Sequence, residues 1–411
     1  VQASRAVSAR DDRPDRRLKL CRIATVPLAF RTFLKEQLRA TVASGIDLTL
    51  VATPGPELET IARETGASHA GIPIRRQPAP VSDLGSLFRI TRFLRRHQFD
   101  LVHSTTPKAG LLTALAARIA GVPVRMHTFT GQPWVEMHGI ARAVARRGDQ
   151  VTARLMSQCY ADSPSQQDFL VREGIARPGK IKVVGLGSIS GVDLRQFSPE
   201  TWGGARAMQT RQELGIPAGD LVIVFVGRVT KDKGINELLA AFEAIGARDA
   251  TTHLLLVGPF EPERDPLPPE TVDRLQHNRR IHLLGFSATP EKYLAAADIF
   301  CLPSYREGFG SSAAEAAAMG LPVIVTRVTG LVDAVVEGVT ALMVPPKDTK
   351  LLTSALETLL RSPDLRRSLG QTGRERVIRH FDARSVNAAV ISEYWRLASG
   401  LPQARHEPRP I

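Results

Sequence analysis

Apolar residues fall along this chain in short runs, separated by longer stretches where they recur every three or four positions. The runs Leu20–Val26, Leu48–Ala52, Leu101–Ser104, Val124–Thr128 and Ile181–Val184 are aliphatic or β-branched and too short for helices, so they predict strands. Between them, Phe30–Ala43, Leu84–His97, Lys108–Ala120 and Ile140–Ser157 carry helical spacing. Strands alternating with helices of that length predict a doubly wound parallel sheet. The segment GLGSISGVDLRQFSPETWGG (Gly185–Gly204) is rich in Gly, Ser and Pro, has no period, and reads as the crossing between two domains. The alternation then restarts, with strands expected at Leu221–Val226, His253–Val257, His282–Leu284, Ile299–Leu302, Val323–Val325 and Ala341–Val344. A helical stretch follows from about Leu351 to Ser399.

The expected organisation is therefore α/β throughout. Residues 1–17 form a charged arm, 18–195 a first domain and 196–380 a second. Residues 381–399 form a helix returning to the first domain, and 400–411 a tail. Two such domains facing each other enclose a cleft, and open parallel sheets take ligands at the carboxyl ends of their strands.

Composition narrows the function classes. With 411 residues, 43% of them hydrophobic and 23% charged, the chain can bury two cores, which excludes a disordered chain or a disulfide-dense miniature fold. No apolar run reaches the ~20 residues of a membrane span. Three widely spaced cysteines offer neither a disulfide framework nor zinc spacing, and they fit a reducing cytosol. The opening residues VQASRAVSARDDRPDRR lack an apolar core, so a signal peptide is not expected. The net charge is +13, and residues 1–200 carry +12 of it, from 29 Lys+Arg against 17 Asp+Glu. One half is thus suited to an anionic partner. Aromatic residues are only 5% and do not interleave with the basic ones, so nucleic acid is not expected; an anionic lipid surface or a phosphate-bearing acceptor fits better.

Two segments carry candidate chemistry. In EGFGSSAAEAAAMGLPVI (Glu307–Ile324) a strand runs through a loop into a helix starting near Ser311. Gly308 and Gly310 permit close backbone approach, and the free amides of the helix start suit a phosphate. Glu307 and Glu315 can share one crevice, Glu315 accepting from two ribose hydroxyls and Glu307 binding sugar hydroxyls. In VFVGRVTKDKG (Val224–Gly234), Arg228 and Lys233 emerge at the carboxyl end of a buried strand, where two cations can hold a diphosphate and stabilise its charge as it leaves. Taken singly, each segment also suits a plain structural role: a capped alanine-rich helix, or a solvated turn.

GRVTKDKG and EGFGSSAAE, in that order and about 80 residues apart, resemble the retaining glycosyltransferases of family 4. The likeness extends through Val183–Phe197 and Leu283–Ser304 and spans about residues 18–398. It implies the GT-B fold: two Rossmann-like parallel-sheet domains facing a cleft, the first binding the acceptor and the second a nucleotide-sugar, by default a UDP-sugar. By motif match, Arg228 and Lys233 would hold the donor diphosphate, Glu315 the ribose and Glu307 the transferred sugar. Backbone around Phe309, Gly310 and Ser311 would meet phosphate or sugar, and Gly285 and Phe286 the base. His127 matches the strand-end histidine near the donor sugar, where it would position the sugar and stabilise charge at the anomeric carbon. Thr105, Thr106 and Lys108, at a strand-to-helix junction, are candidates for an acceptor phosphate, and Trp134 for packing against acceptor sugar or lipid.

No Asp-x-Asp pair occurs, so no metal or other cofactor is expected. The resemblance further implies a glycan acceptor on polyprenyl diphosphate. The location would be the cytoplasm or the inner membrane face, with the basic helices Ile90–Gln98 and Ala141–Gly148 against anionic headgroups. Two departures stand out. Where relatives carry paired glycines after the first strand, this chain reads ATVPLAFRTFL (Ala24–Leu34), and SGVD replaces the commoner NGVD. Alternative readings are a GT-B nucleotide-sugar epimerase and a non-catalytic nucleotide or nucleic-acid binding protein.

Overall fold

In the computed structural model, residues 17–77, 79–247, 251–262 and 265–401 are described. Most of the expected arm (1–17) and tail (400–411) thus lies outside the described residues. The first domain is a seven-stranded parallel sheet of β1 (Lys19–Ile23), β2 (Asp47–Ala52), β3 (Ser68–Gly71), β4 (Leu101–Thr105), β5 (Val124–Phe129), β6 (Gln158–Ala161) and β7 (Ile181–Val183). Its order is β3-β2-β1-β4-β5-β6-β7. The second is a six-stranded parallel sheet of β8 (Leu221–Val226), β9 (Thr252–Val257), β10 (Ile281–Gly285), β11 (Ile299–Leu302), β12 (Val323–Thr326) and β13 (Ala341–Val344), ordered β10-β9-β8-β11-β12-β13. The order reverses between β1 and β4 and again between β8 and β11, and at such switch points the loops diverge and leave a crevice.

All six strands of the second domain lie where the apolar runs place them: β8, β9, β11 and β12 are buried almost throughout and read as continuous hydrophobic stretches, while the edge strands β10 and β13 are only partly buried. In the first domain the pattern misses β3 and β6. Strand β3 is SHAG, an edge strand with little buried surface, and β6 is QCYA; their strand character comes from pairing with β2 and β5 rather than from their own residues. The predicted helix Phe30–Ala43 divides into a π-helical turn, Phe30–Leu34, and an α-helix, Lys35–Ala43.

The helix Ala383–Ala398 packs on the first sheet, where Val390 and Tyr394 join the core made by Leu20, Leu48, Leu101 and Met126. A buried network ties it down. Arg22 Nη1 shares its two hydrogens among Gln37 Oε1 (3.1 Å), His103 Nδ1 (2.8 Å) and the Tyr394 hydroxyl (2.5 Å), and Arg22 Nη2 donates to Thr105 Oγ1 (3.3 Å). Arginine can only donate, so His103 Nδ1 is the acceptor and its Nε2–H is left for Thr128 Oγ1, 2.8 Å away. Burial, with Arg22 and His127 nearby, keeps His103 neutral. The chain crosses between domains twice, side by side: Val192 N–H donates to the Phe381 carbonyl (2.7 Å) and Ala383 N–H to the Val192 carbonyl (3.0 Å). Gly191 permits this approach, since a Cβ there would lie 2.6 Å from the Ala383 Cα.

Candidate active site

The carboxyl end of β8 delivers Arg228 and Lys233 as the apolar run predicts. Arg228 lies between two carboxylates, Glu261 Oε2 at 3.1 Å and Asp232 Oδ2 at 3.3 Å. Burial works against its charge, but Asp232 and Glu261 outweigh this and strengthen its hold on the proton. Lys233 forms an ion pair with Glu307, whose Oε1 also accepts from Ser304 Oγ at 2.8 Å. Arg306 reaches Asp232 Oδ2 at 2.6 Å. Burial alone would raise the Asp232 carboxyl; Arg306, Arg228 and Lys233 override it and bring it down to about 2. Three cations and three carboxylates thus interlock at the mouth of the second sheet. Asp232 stands inside the GRVTKDKG segment but is not singled out there, and Arg306 and Glu261 lie outside both motifs; their roles arise only where the loops meet.

From β11 the chain passes through this loop into the helix Ser311–Ala318. Gly310 takes φ of 90° as its N-cap, and a Cβ there would strike Leu331. Phe309 is turned into the core against Phe381, so only its backbone can meet a ligand. Glu315 lies about one turn into this helix, where the charge of Glu291, on the helix Pro290–Ala295, acts on it. Burial first and the Glu291 charge second push Glu315 up to about 7. Gly285 closes β10 with φ of 62°, and Phe286 beyond it is 48% exposed.

The first domain meets this loop directly. A Cβ on Gly131 would lie 3.3 Å from the Gly308 nitrogen, and one on Gly308 would lie 2.9 Å from both Asp162 Oδ2 and the Thr130 carbonyl carbon. Ser165 bridges nearby, its N–H donating to Asp333 Oδ2 and its Oγ accepting from Gly330 N–H, both at 2.8 Å. His127 lies on β5, three residues before Thr130. Its ring is 1% exposed, Nδ1 is 2.9 Å from Ser104 Oγ, and burial brings its pKa down to about 3, so the imidazole is neutral. Gly110, inside the helix Pro107–Ala120, makes room for it: a Cβ there would lie 2.5 Å from His127 Cε1. A glycine in the first turn of a helix was the available signal for this packing. Asp162, after β6, is buried with Oδ1 lacking a hydrogen-bond partner, and burial holds its carboxyl well above the usual range.

Two acceptor candidates, Trp134 and Thr105, need correction, and two more, Lys108 and Thr106, already have partners. Trp134 is 1% exposed, stacks on Phe169 and donates its indole N–H to Asp149, so no face is left for a sugar or lipid. Lys108 is held by Asp83 (2.6 Å) and the Gln77 carbonyl (2.5 Å), both in the passage from β3 into the helix Pro80–His97, so its charge is already engaged. Thr105 is buried under Arg22. Thr106 takes φ of 88° and pairs with Thr25 Oγ1 at 2.9 Å.

Two parallel-sheet Rossmann-like domains meeting over a cleft at their switch points define the GT-B class. Residues 208–376 match the family described as Glycosyl transferases group 1, and residues 30–187 match Glycosyl transferase 4-like domain. The capsular polysaccharide biosynthesis glycosyltransferase CapM of Staphylococcus aureus is 29% identical over 366 residues, covering 88% of this chain and 93% of its own. D-inositol 3-phosphate glycosyltransferase of Corynebacterium glutamicum is 36% identical over 320 residues, 74% of each chain. Among solved structures, HepE of Anabaena in complex with UDP and glucose superposes with a TM-score of 0.77 at 19% identity, covering 92% of this chain and all of that one. The chain belongs to the family 4 glycosyltransferases of the group 1 type, and it is a glycosyltransferase with the GT-B fold.

Proposed function

We propose that the protein transfers a hexose, with retention, from a UDP-sugar to a hydroxyl of a lipid-linked glycan during surface-polysaccharide synthesis. The observation that carries this is the meeting of the Glu307–Gly308 loop, with Lys233 and Arg228 behind it, and the Thr130–Gly131 turn that ends the His127 strand. In this reading Arg228, Lys233 and the amides at Ser311 take the diphosphate charge, a load a metal would otherwise carry. Glu315 accepts from the ribose, Glu307 orients the sugar, and the neutral His127 positions it without acting as an acid. The bond from the anomeric carbon to the diphosphate oxygen breaks. The acceptor hydroxyl bonds to that carbon on the same face, and its proton passes to the departing phosphate oxygen. Kinship with CapM and the UDP-bound neighbour supports the substrate class.

The test is a screen of UDP- and GDP-sugars for donor hydrolysis and for transfer to a polyprenyl-diphosphate glycan. The expected result is turnover of a UDP-sugar with the anomeric configuration kept. Inverted product, or no turnover and no nucleotide binding across the panel, overturns the reading.

Membrane contact belongs to the same proposal. Among the described residues no helix is long and apolar enough to cross a membrane. The helix Pro80–His97 exposes Val81, Leu84 and Phe88 beside Arg89, Arg92, Arg95 and Arg96. The helix Gly139–Leu155 exposes Ile140 and Val144 beside Arg142 and Arg147. Both pack on the helix Pro107–Ala120, and their acids are engaged, Asp83 with Lys108 and Asp149 with Trp134. Arginines flanking exposed apolar side chains suit anionic headgroups. Vesicles containing phosphatidylglycerol are expected to bind the protein and release it as salt rises, with Leu84→Glu/Phe88→Glu weakening binding about tenfold. Equal binding to neutral vesicles, or an unaffected double variant, counts against the contact.

A further inference from the structure

The loop that departs from the family's paired glycines adopts a specific shape. Phe30 and Leu34 are buried completely and Leu38 is 1% exposed, so the wider π-helical turn keeps this apolar row inward while Arg31 and Thr32 face out. Thr32 Oγ1 bonds back to the Leu28 carbonyl (2.8 Å), and Phe30 N–H to the Pro27 carbonyl (2.9 Å). The turn is therefore a built element. It projects Arg31 across the cleft, where its guanidinium lies over the Phe286 ring, 5.9 Å from the centroid. Arg31 is biased only weakly by nearby acids, Glu57 at 3.9 Å and the Lys35-paired Glu64, and the Arg31 and Glu57 side chains are both well exposed. Phe286 is likewise half exposed and follows the left-handed Gly285 at the end of β10.

We propose that Arg31 and Phe286 form a cross-domain clamp that grips the planar base of a nucleoside diphosphate between guanidinium and phenyl faces. This rests on the donor site proposed above and adds a residue of the first domain to it. A planar ring needs roughly 7 Å between flanking faces, two contacts of about 3.5 Å each. The present separation is about 1 Å short of that, within reach of a half-exposed arginine on a flexible stem. Guanidinium and phenyl both stack on aromatic rings. The clamp draws from both domains, so a bound base also tethers one domain to the other. The paired glycines would bring a first loop close to phosphate; here the loop contributes a side chain to the base instead.

The experiment is calorimetric titration of the full chain with UDP, GDP and inorganic pyrophosphate, on wild type, Arg31→Ala, Arg31→Lys and Phe286→Ala. Melting temperatures serve as the folding check. The expected result is that Arg31→Ala weakens the preferred nucleoside diphosphate by about 3- to 10-fold, the range of an exposed cation–π contact with modest desolvation. Pyrophosphate affinity stays unchanged, Phe286→Ala weakens the nucleotide at least as much, and Arg31→Lys falls between. Nucleotide affinity unchanged in Arg31→Ala overturns the clamp. So does an equal loss for nucleotide and pyrophosphate, which would make Arg31 a phosphate partner. Wild type binding pyrophosphate as tightly as any nucleotide also overturns the clamp while leaving the diphosphate site standing. Wild type binding none of the three removes the donor site itself, and the clamp with it.

Discussion

Arg228→Ala is expected to lower donor turnover by about 100- to 1,000-fold, the usual cost of removing one preorganised charge from a departing oxyanion. The fold should survive, because neither acid is left alone: Asp232 keeps Arg306 and Thr230, and Glu261 keeps Arg76 at 3.5 Å. The melting temperature is accordingly expected to change by a few degrees at most. Arg228→Lys retains the charge but loses the fork that reaches both carboxylates, so its turnover should lie between wild type and alanine. Initial rates of UDP-sugar hydrolysis provide the measurement. Turnover within threefold of wild type would remove Arg228 from the site.

Gly308→Ala should do comparable damage by a different route. The added methyl would lie 2.9 Å from Asp162 Oδ2, 2.9 Å from the Thr130 carbonyl carbon and 3.0 Å from its oxygen, all in the other domain. Backbone on one side cannot give way cheaply, so the domains must separate by a fraction of an ångström or more. A misplacement of about 1 Å between reacting groups can cost about 100-fold in rate. Nucleoside diphosphate binding, which the proposed donor site places mainly on the second domain, should weaken by no more than the about 3- to 10-fold that the Arg31 contact contributes. Gly219→Ala, where an added Cβ meets nothing within 4 Å, is the control. Transfer rate, UDP affinity and the radius of gyration are measured together. Full transfer activity in Gly308→Ala would mean that this contact is not part of the working arrangement.

Much of this was legible along the chain. The four inner strands of the second domain are apolar on both faces, so their positions are local information, and Arg228, Lys233, Glu307 and Glu315 are singled out by where strands end and helices begin. The acceptor candidates were not legible in this way. Lys108, Thr105 and Trp134 stand at plausible strand and helix ends, yet Asp83, Arg22 and Asp149, distant or unremarkable in sequence, hold them in place. Strand β3 escaped notice because an edge strand needs little hydrophobic surface of its own.

Periodicity and motif spacing by themselves determined the α/β class, the two domains, the crossing near Gly191 and the two loop motifs of the second domain, because these depend on neighbours within a few turns or one strand–loop–helix unit. The tertiary structure alone decided that Glu307 pairs with Lys233 while the Glu291 charge acts on Glu315, and that Gly110 is small to admit the His127 ring. It alone brought Arg31 over Phe286. Each of these joins residues far apart in order, and chain position carries no information about which distant side chain will fill a given space.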